Sequence, residues 1–276
     1  MITIPCAVAN EYFRRQISFF EFQHLKVYGD DARKKAIIPI VKRNYVNQTK
    51  FENVKWNLQV PFKMVESILD IYNLDNDIYI PTNVFTAAKQ VIGNLADDEI
   101  VEIIDADMVH LKKYDGYIPK KNEVICSDLY EDWHLKTSNP NKDNFKVIAP
   151  HLKHGDFKYM NGGFNLISRV DTLKKIIDET ILIGMKIGKE QEGNQFSWWQ
   201  TMFSLNVACH NSRVKMIGLD NCYYPGVNEI NEKQHLAHYC CDSIFNKRNM
   251  EAINVNDFPN NKFYKAAKEW LETYNF

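Results

Sequence analysis

The stretch that decides the fold is Val101–Tyr114, VEIIDADMVHLKKY, in which an apolar, β-branched run leads into two carboxylates, Asp105 and Asp107. With Glu99 and Ile100 in front of it, the run reads as a buried strand, EIVEIID. In an extended segment residues i and i+2 point to the same side, so the spacing predicts the two aspartates a short distance apart. Two like charges about 4 Å apart repel by roughly 4 kcal/mol at an effective dielectric near 20. A cation, a shared proton or full solvent exposure must offset that cost.

The segments on either side supply the context. Ile2–Val8 is a short β-branched strand that breaks at ANEYFRRQ, and Tyr12–Leu25 has the apolar spacing of a helix. Ala36–Val41 (AIIPIV) is a second buried strand, followed by the basic KRN. Val60–Leu74, VPFKMVESILDIYNL, predicts an amphipathic helix. Another helix starts at Pro81, with Thr82 and Asn83 in its first turn, and stops at Gly93-Asn94. The EIVEIID strand follows.

Downstream, residues 114–159 are rich in Lys, Asp, Asn and Pro and predict loops and short strands. Asn161-Gly162-Gly163 then turns into a strand over Phe164–Ser168 and a helix from Asp171. GNQFSWWQTMFSLNVACHN (193–211) predicts a helix with a heavy aromatic face, VKMIGL (214–219) a late strand, and residues 260–276 a terminal amphipathic helix. Strands alternating with helices indicate an α/β fold with a mixed, mostly parallel central sheet flanked by helices. In such sheets ligands gather outside the carboxyl ends of the strands, which is where Asp105 and Asp107 fall.

A length of 276 residues suits one domain, or two closely packed lobes, and no repeat or linker divides it. The formal net charge of -1 argues against a broad electrostatic grip on nucleic acid or an acidic membrane. The six cysteines form no CxxC pair, which fits a reducing compartment. The N-terminus lacks the apolar core of a signal sequence, and no segment is long enough to span a bilayer, so a soluble, cytoplasmic protein is expected. Heavy use of Lys, Asn and Ile suits an AT-rich genome, microbial or viral.

On its own, Asp105-Ala106-Asp107 would suit a solvated turn. Its place at the end of a buried strand favours a hard divalent cation, Mn²⁺ or Mg²⁺, which takes carboxylate oxygens together with substrate phosphates. His238, in HLAHYC, is the candidate third ligand, because Mn²⁺ tolerates imidazole; the alternative is a histidine hydrogen-bonded at a strand end. His235 raises a two-histidine arrangement, but no nearby Cys or carboxylate completes a zinc set. Gly162 and Gly163 either let backbone approach a ligand or make a tight turn. Trp198, Trp199 and Phe203 pack a core or form a sugar platform. Gln195 and Gln200 hydrogen-bond a substrate hydroxyl or face solvent.

Taken together and in this order, these segments resemble a nucleotide-sugar glycosyltransferase of the GT-A fold. DADMV after a buried strand resembles the DxD of that fold, and YMNGGFNLISR resembles the NGG/NSG segment of many retaining members. The opening IPCAVANEYFRRQISFFEFQHLK, the middle FNLISRVDTLKKI with FSWWQTMFSLNVACHNSRVKMI, and the closing HLAHYCCD are similar to the group of plant hydroxyproline O-arabinosyltransferases and peptidyl-serine α-galactosyltransferases. Gln200 stands where that group has an acid, and the group's membrane anchor has no counterpart here.

The resemblance implies a single GT-A domain over 1–276, with a nucleotide-binding lobe (1–108) and an acceptor-side lobe (109–276). It implies transfer from a nucleotide-sugar, UDP-linked, to a saccharide, glycan or glycoprotein acceptor with retention of configuration. Asp105, Asp107 and His238 would hold Mn²⁺ or Mg²⁺, with Asp107 the direct ligand and catalytic support. Ala7, Val8, Ala9 and Asn10 would line the nucleotide base, with Arg43 and Thr82 nearby and Ala106 between the acids. Asn161, Gly162, Gly163 and Trp199 would meet the sugar or acceptor. Lys247 would clamp the diphosphate, and Gln200 would lie beneath the anomeric carbon.

Two other readings stand beside it. A nucleotidyltransferase also builds a metal site from strand-end carboxylates, but AVANEYFRR lacks the glycine-rich loop such enzymes use for triphosphate. A non-catalytic carbohydrate-binding protein would keep the fold without needing the intact acidic pair.

Overall fold

Strand β4 (Ile100–Asp105) is buried from Val101 to Ile104 in the interior of the sheet, with a parallel strand on one edge and an antiparallel strand on the other. A strand buried in this way reads as a nearly continuous apolar run, here interrupted by Glu102, rather than an alternating one. The structure, a computed structural model, describes residues 1–44, 54–74, 81–127, 129–131, 145–157, 159–161, 165–190, 200–225, 230–240, 245–246, 251–252 and 260–274.

Around β4 the sheet takes β1 (Ile2–Val8), β2 (Ile38–Val41), β3 (Phe62–Val65), β6 (Glu123–Ser127), β9 (Asn165–Arg169) and β10 (Lys215–Leu219). Its order is β10-β6-β9-β4-β1-β2-β3. Strand β9 runs antiparallel to β4 and β6, and the other pairs are parallel. A three-stranded sheet, β11-β12-β5, adjoins it, made of β5 (Met108–His110), β11 (Cys222–Tyr223) and β12 (Leu236–His238). Two hairpin-like pairs complete the strands: β7 (Leu129–Glu131) with β8 (Tyr159–Asn161), and β13 (Phe245–Asn246) with β14 (Glu251–Ala252).

The long helices are α1 (Glu11–Tyr28), α4 (Asn83–Ile92), α6 (Val170–Glu190), α7 (Gln200–Asn211) and α8 (Lys262–Thr273). Single turns form α2 (Ala32–Lys35), α3 (Ile68–Ile71) and α5 (Phe145–Ile148). Helix α8 packs on α1, while α4 and α7 pack on α6. The first contact is aromatic: Phe19 of α1 lies 5.2 Å from Trp270 and 6.0 Å from Phe263, centroid to centroid. Nε1 of Trp270 donates to Oγ of Ser18 at 3.1 Å, so the indole is buried with its polar atom satisfied. Among the described residues no helix is long and apolar enough to cross a membrane.

The sequence expectation fails in two places. Residues 60–74 do not form one amphipathic helix: Phe62–Val65 joins the sheet edge beside β2, and Ser67 caps the short α3 by accepting from the Asp70 amide. Tertiary pairing overrides a helical spacing there. The 114–159 region holds short strands as expected, and one of them, β6, is buried from Val124 to Ser127 in the sheet interior. The strand at 100–105 also stops at Asp105: Ala106 and Asp107 form a turn before β5, so strand alternation is not what brings the two carboxylates together.

Candidate functional site

The turn after β4 acquires its partner from far along the chain. Strand β5 pairs antiparallel with β12 in the register Leu236↔His110, Ala237↔Val109, His238↔Met108. The next amide, Tyr239 N, donates to the Asp107 carbonyl at 3.1 Å. This register sets His238 beside Asp107, with Nε2 3.3 Å from Oδ1. One ligand atom from each of Asp105, Asp107 and His238 lies within 4.8 Å of the others. Two hard oxygens and an imidazole converging at a strand end suit Mn²⁺ or Mg²⁺ in donor chemistry.

The electrostatics around the cluster are those of a negative site. Burial opposes a charged imidazole at His238, but the Asp107 carboxylate outweighs it, Cys240 adds to the effect, and the ring is held well above the usual histidine range. Burial pushes up the Cys6 thiol, and Asp105 pushes it further. Burial and then Asp107 do the same to the Tyr239 hydroxyl. Without a cation, His238 is the positive partner that makes Asp107 tolerable, and a divalent ion would take that proton's place.

The other residues singled out from sequence are distributed as follows. Ala7 and Val8 lie at the end of β1 in register next to Cys6↔Asp105, and together with Ala9 they are buried, so the chain offers backbone there rather than side chain. Ala106 is buried in the turn. Asn10 is committed locally: its Oδ1 accepts from Phe13 N at 2.9 Å and caps α1. Arg43, past the end of β2, pairs with Asp70 at 2.9 Å. Thr82 was expected beside a nucleotide, but it is fully buried against Gly184 of α6. Gln200 opens α7 and Asn161 ends β8, with their side chains outside the described part. Gly162, Gly163, Trp199 and Lys247 lie outside the described residues.

Sequence reasoning passed over Glu102 and His110 and weighed His235 only for a zinc pair with His238; all three are buried, and both histidines bond Glu102. An acid inside an apolar strand was the available signal. It also missed the polar set around Arg43, in which Asn83 donates to Oδ1 of Asn44 at 2.6 Å and accepts from Ile68 N at 2.8 Å.

The chain is similar in structure to the galactosyltransferase LgtC solved in complex with donor and acceptor sugar analogs. The match has a TM-score of 0.55 at 11% identity and covers 100% of this chain and 97% of that one. A similar match to an active-site mutant of LgtC has a TM-score of 0.53 at 10% identity, covering 99% and 96%. No family model matches the chain, and no curated protein matches it in sequence. At such identities the likeness shows the fold: a GT-A architecture with a mixed, mostly parallel central sheet.

Proposed function

We propose that this chain is a metal-dependent glycosyltransferase that moves a sugar from a UDP-linked donor to a saccharide, glycan or glycoprotein acceptor, with retention of configuration. The observation that carries the reading is the Asp105–Asp107–His238 cluster at the carboxyl end of β4 in a GT-A fold. Asp105, Asp107 and His238 would hold Mn²⁺ or Mg²⁺. Bound there, such an ion supplies Lewis-acid neutralisation of charge on a departing diphosphate.

The rest of the chemistry falls to the chain. Residues 1–108 act as the nucleotide half, in which the backbone of Ala7–Asn10 borders the base and Arg43, held by Asp70, stands at the neighbouring strand end. Asn161–Gly163 and Trp199 border the sugar or acceptor, and Lys247 adds a cation to the diphosphate clamp. Gln200 lies beneath the anomeric carbon. An amide is a poor nucleophile, so its part is to stabilise an oxocarbenium-like, front-face transfer rather than to form a covalent intermediate.

Calorimetry with UDP, with and without Mn²⁺, tests the reading, together with nucleotide release across UDP-, GDP- and CMP-sugars. Metal-dependent UDP binding with slow UDP-sugar hydrolysis supports it. Sugar binding indifferent to metal, with no nucleotide released, would replace it with a binding module. Gln200→Ala should lose turnover and keep donor binding.

A further inference from the structure

The cation cluster straddles two sheets. Asp105 ends a strand of the seven-stranded sheet, His238 ends a strand of the three-stranded sheet, and Asp107 sits in the turn between them. The spacing of the two sheets therefore decides whether the three ligand atoms converge. We propose that Glu102, His110 and His235 form a buried clamp that sets this spacing, acting on the cation site without touching it; the inference rests on the metal reading above.

The geometry is that of a polar tie between the sheets. Glu102, on β4, is fully buried. Its Oε1 accepts from His235 Nε2 at 2.6 Å, and its Oε2 accepts from His110 Nε2 at 3.0 Å. His110 ends β5 and His235 immediately precedes β12, so both donors belong to the smaller sheet. Each clamp residue stands three positions from a ligand on the same segment: Glu102 before Asp105, His110 after Asp107, His235 before His238. Along β4 three extended residues span about 10 Å and an odd offset reverses the face, so Glu102 grips its strand away from Asp105.

Hydrogen-bond directions fix the tautomer of His24 behind the clamp. Nε2 of His24 lies 3.1 Å from the Ala32 carbonyl, which can only accept, so that nitrogen carries the proton. Nδ1 of His24 then accepts from His110 Nδ1 at 3.3 Å. Burial, then the neighbouring His110, lowers the His24 ring to about 3 and keeps it neutral. Burial works against the Glu102 carboxylate, yet the imidazoles, His235 foremost, hold it below the usual carboxylate range. Tyr28 and Tyr114, the other titratable groups facing Glu102, stay neutral because burial and then Glu102 itself raise them.

Stability alone gives no reason for such a group. Apolar residues of similar volume are often as stabilising as a buried ion pair, and Nδ1 of His235 is buried without a hydrogen-bond partner, so what the bonds at Glu102 add is a fixed geometry. Here the fixed quantity is the offset between the strands that end in Asp105 and His238.

The test is Mn²⁺ affinity of the full chain with UDP present, read from the electron paramagnetic signal of free Mn²⁺. Folding is followed by circular dichroism, and coordination by the absorption of bound Co²⁺. Glu102→Gln should fold and lose about 10–100-fold in Mn²⁺ affinity, with an altered Co²⁺ spectrum, as removal of an outer partner does. Thr3→Val is the control. Its hydroxyl donates to the same carboxylate at 3.0 Å from β1 and lies 3.4 Å from His110 Nε2, but its removal leaves both histidine bonds to Glu102 in place, so stability should fall while Mn²⁺ affinity changes far less than in Glu102→Gln. A folded Glu102→Gln with wild-type affinity and spectrum overturns the clamp. Should that variant not fold, His235→Gln, which keeps a donor, must bind Mn²⁺ more tightly than His235→Ala, and equal affinities overturn it. A wild-type chain that takes up no Mn²⁺ overturns the metal reading first and the clamp with it.

Discussion

Nε2 of His238 stands 3.3 Å from Oδ1 of Asp107, the one ending β12 and the other in the turn that leads into β5. In the metal-free chain this is an ion pair, and with a cation bound it is a pair of ligands. Asp107→Ala should leave the fold in place, because the backbone bond from Tyr239 N to the Asp107 carbonyl does not use the side chain. Mn²⁺-dependent UDP binding should fall by more than about 100-fold, beyond the 10–100-fold carried by outer partners alone. Unchanged nucleotide affinity in a folded variant would refute the role.

The same pair predicts opposite pH responses for stability and for metal uptake. His238 is raised in the folded chain by Asp107, against the pull of burial. Its contribution to the metal-free protein is therefore fully present below the unfolded histidine value, about 6.5, and is lost as pH rises through the higher folded value. The cation must displace that proton, so Mn²⁺ affinity should climb with pH over the same range and then level off. Calorimetry in buffers of different ionisation enthalpy should count about one proton released per ion on the acid side.

Gly184→Ala should destabilise the chain, although alanine is the better helix former by about 1 kcal/mol. A methyl group at Gly184 would fall 2.7 Å from Oγ1 and 2.9 Å from Cγ2 of Thr82, and 3.3 Å from Oγ of Ser204. Thr82 is fully buried and has nowhere to retreat, so overpacking costs about 1–3 kcal/mol. In a Thr82→Ala background the same change should become neutral or favourable. Denaturant midpoints of the four-member cycle measure the coupling, and additivity would reject the clash.

Trp270→Ala should cost about 3–5 kcal/mol, the range for an aromatic deleted from a core. Trp270 holds α8 to Phe19, and Phe263 of the same helix stacks on Tyr239 at 5.5 Å, one residue after His238. Loosening the helix should therefore also weaken Mn²⁺ binding. Chemical denaturation and a Mn²⁺ titration on one preparation check both effects, and stability loss with metal affinity unchanged would uncouple them.

The fold was legible where one physical rule acted alone. The apolar, β-branched runs at Ile2–Val8 and Ile100–Asp105 gave two buried strands, which pair with each other in parallel. Phe62–Val65 was misread because its strand character comes from pairing with β2, which a local window does not contain. At the site, Asp105 and Asp107 stood out through their place after a strand, and His238 through its type. What holds them was hidden, since Glu102 and His235 meet only through the register of β5 with β12, and spacing in one dimension says nothing of it.

The antiparallel β9 has a bearing on how the chain is made. It lies between β4 and β6, yet both are synthesised before it. A nascent chain that has not yet reached residue 165 carries β4 with one bare, apolar margin, the kind of surface that recruits foreign strands. Ribosome-stalled or truncated products ending before that point should aggregate or call on chaperones, whereas products that include β9 should become protease-resistant in a single step.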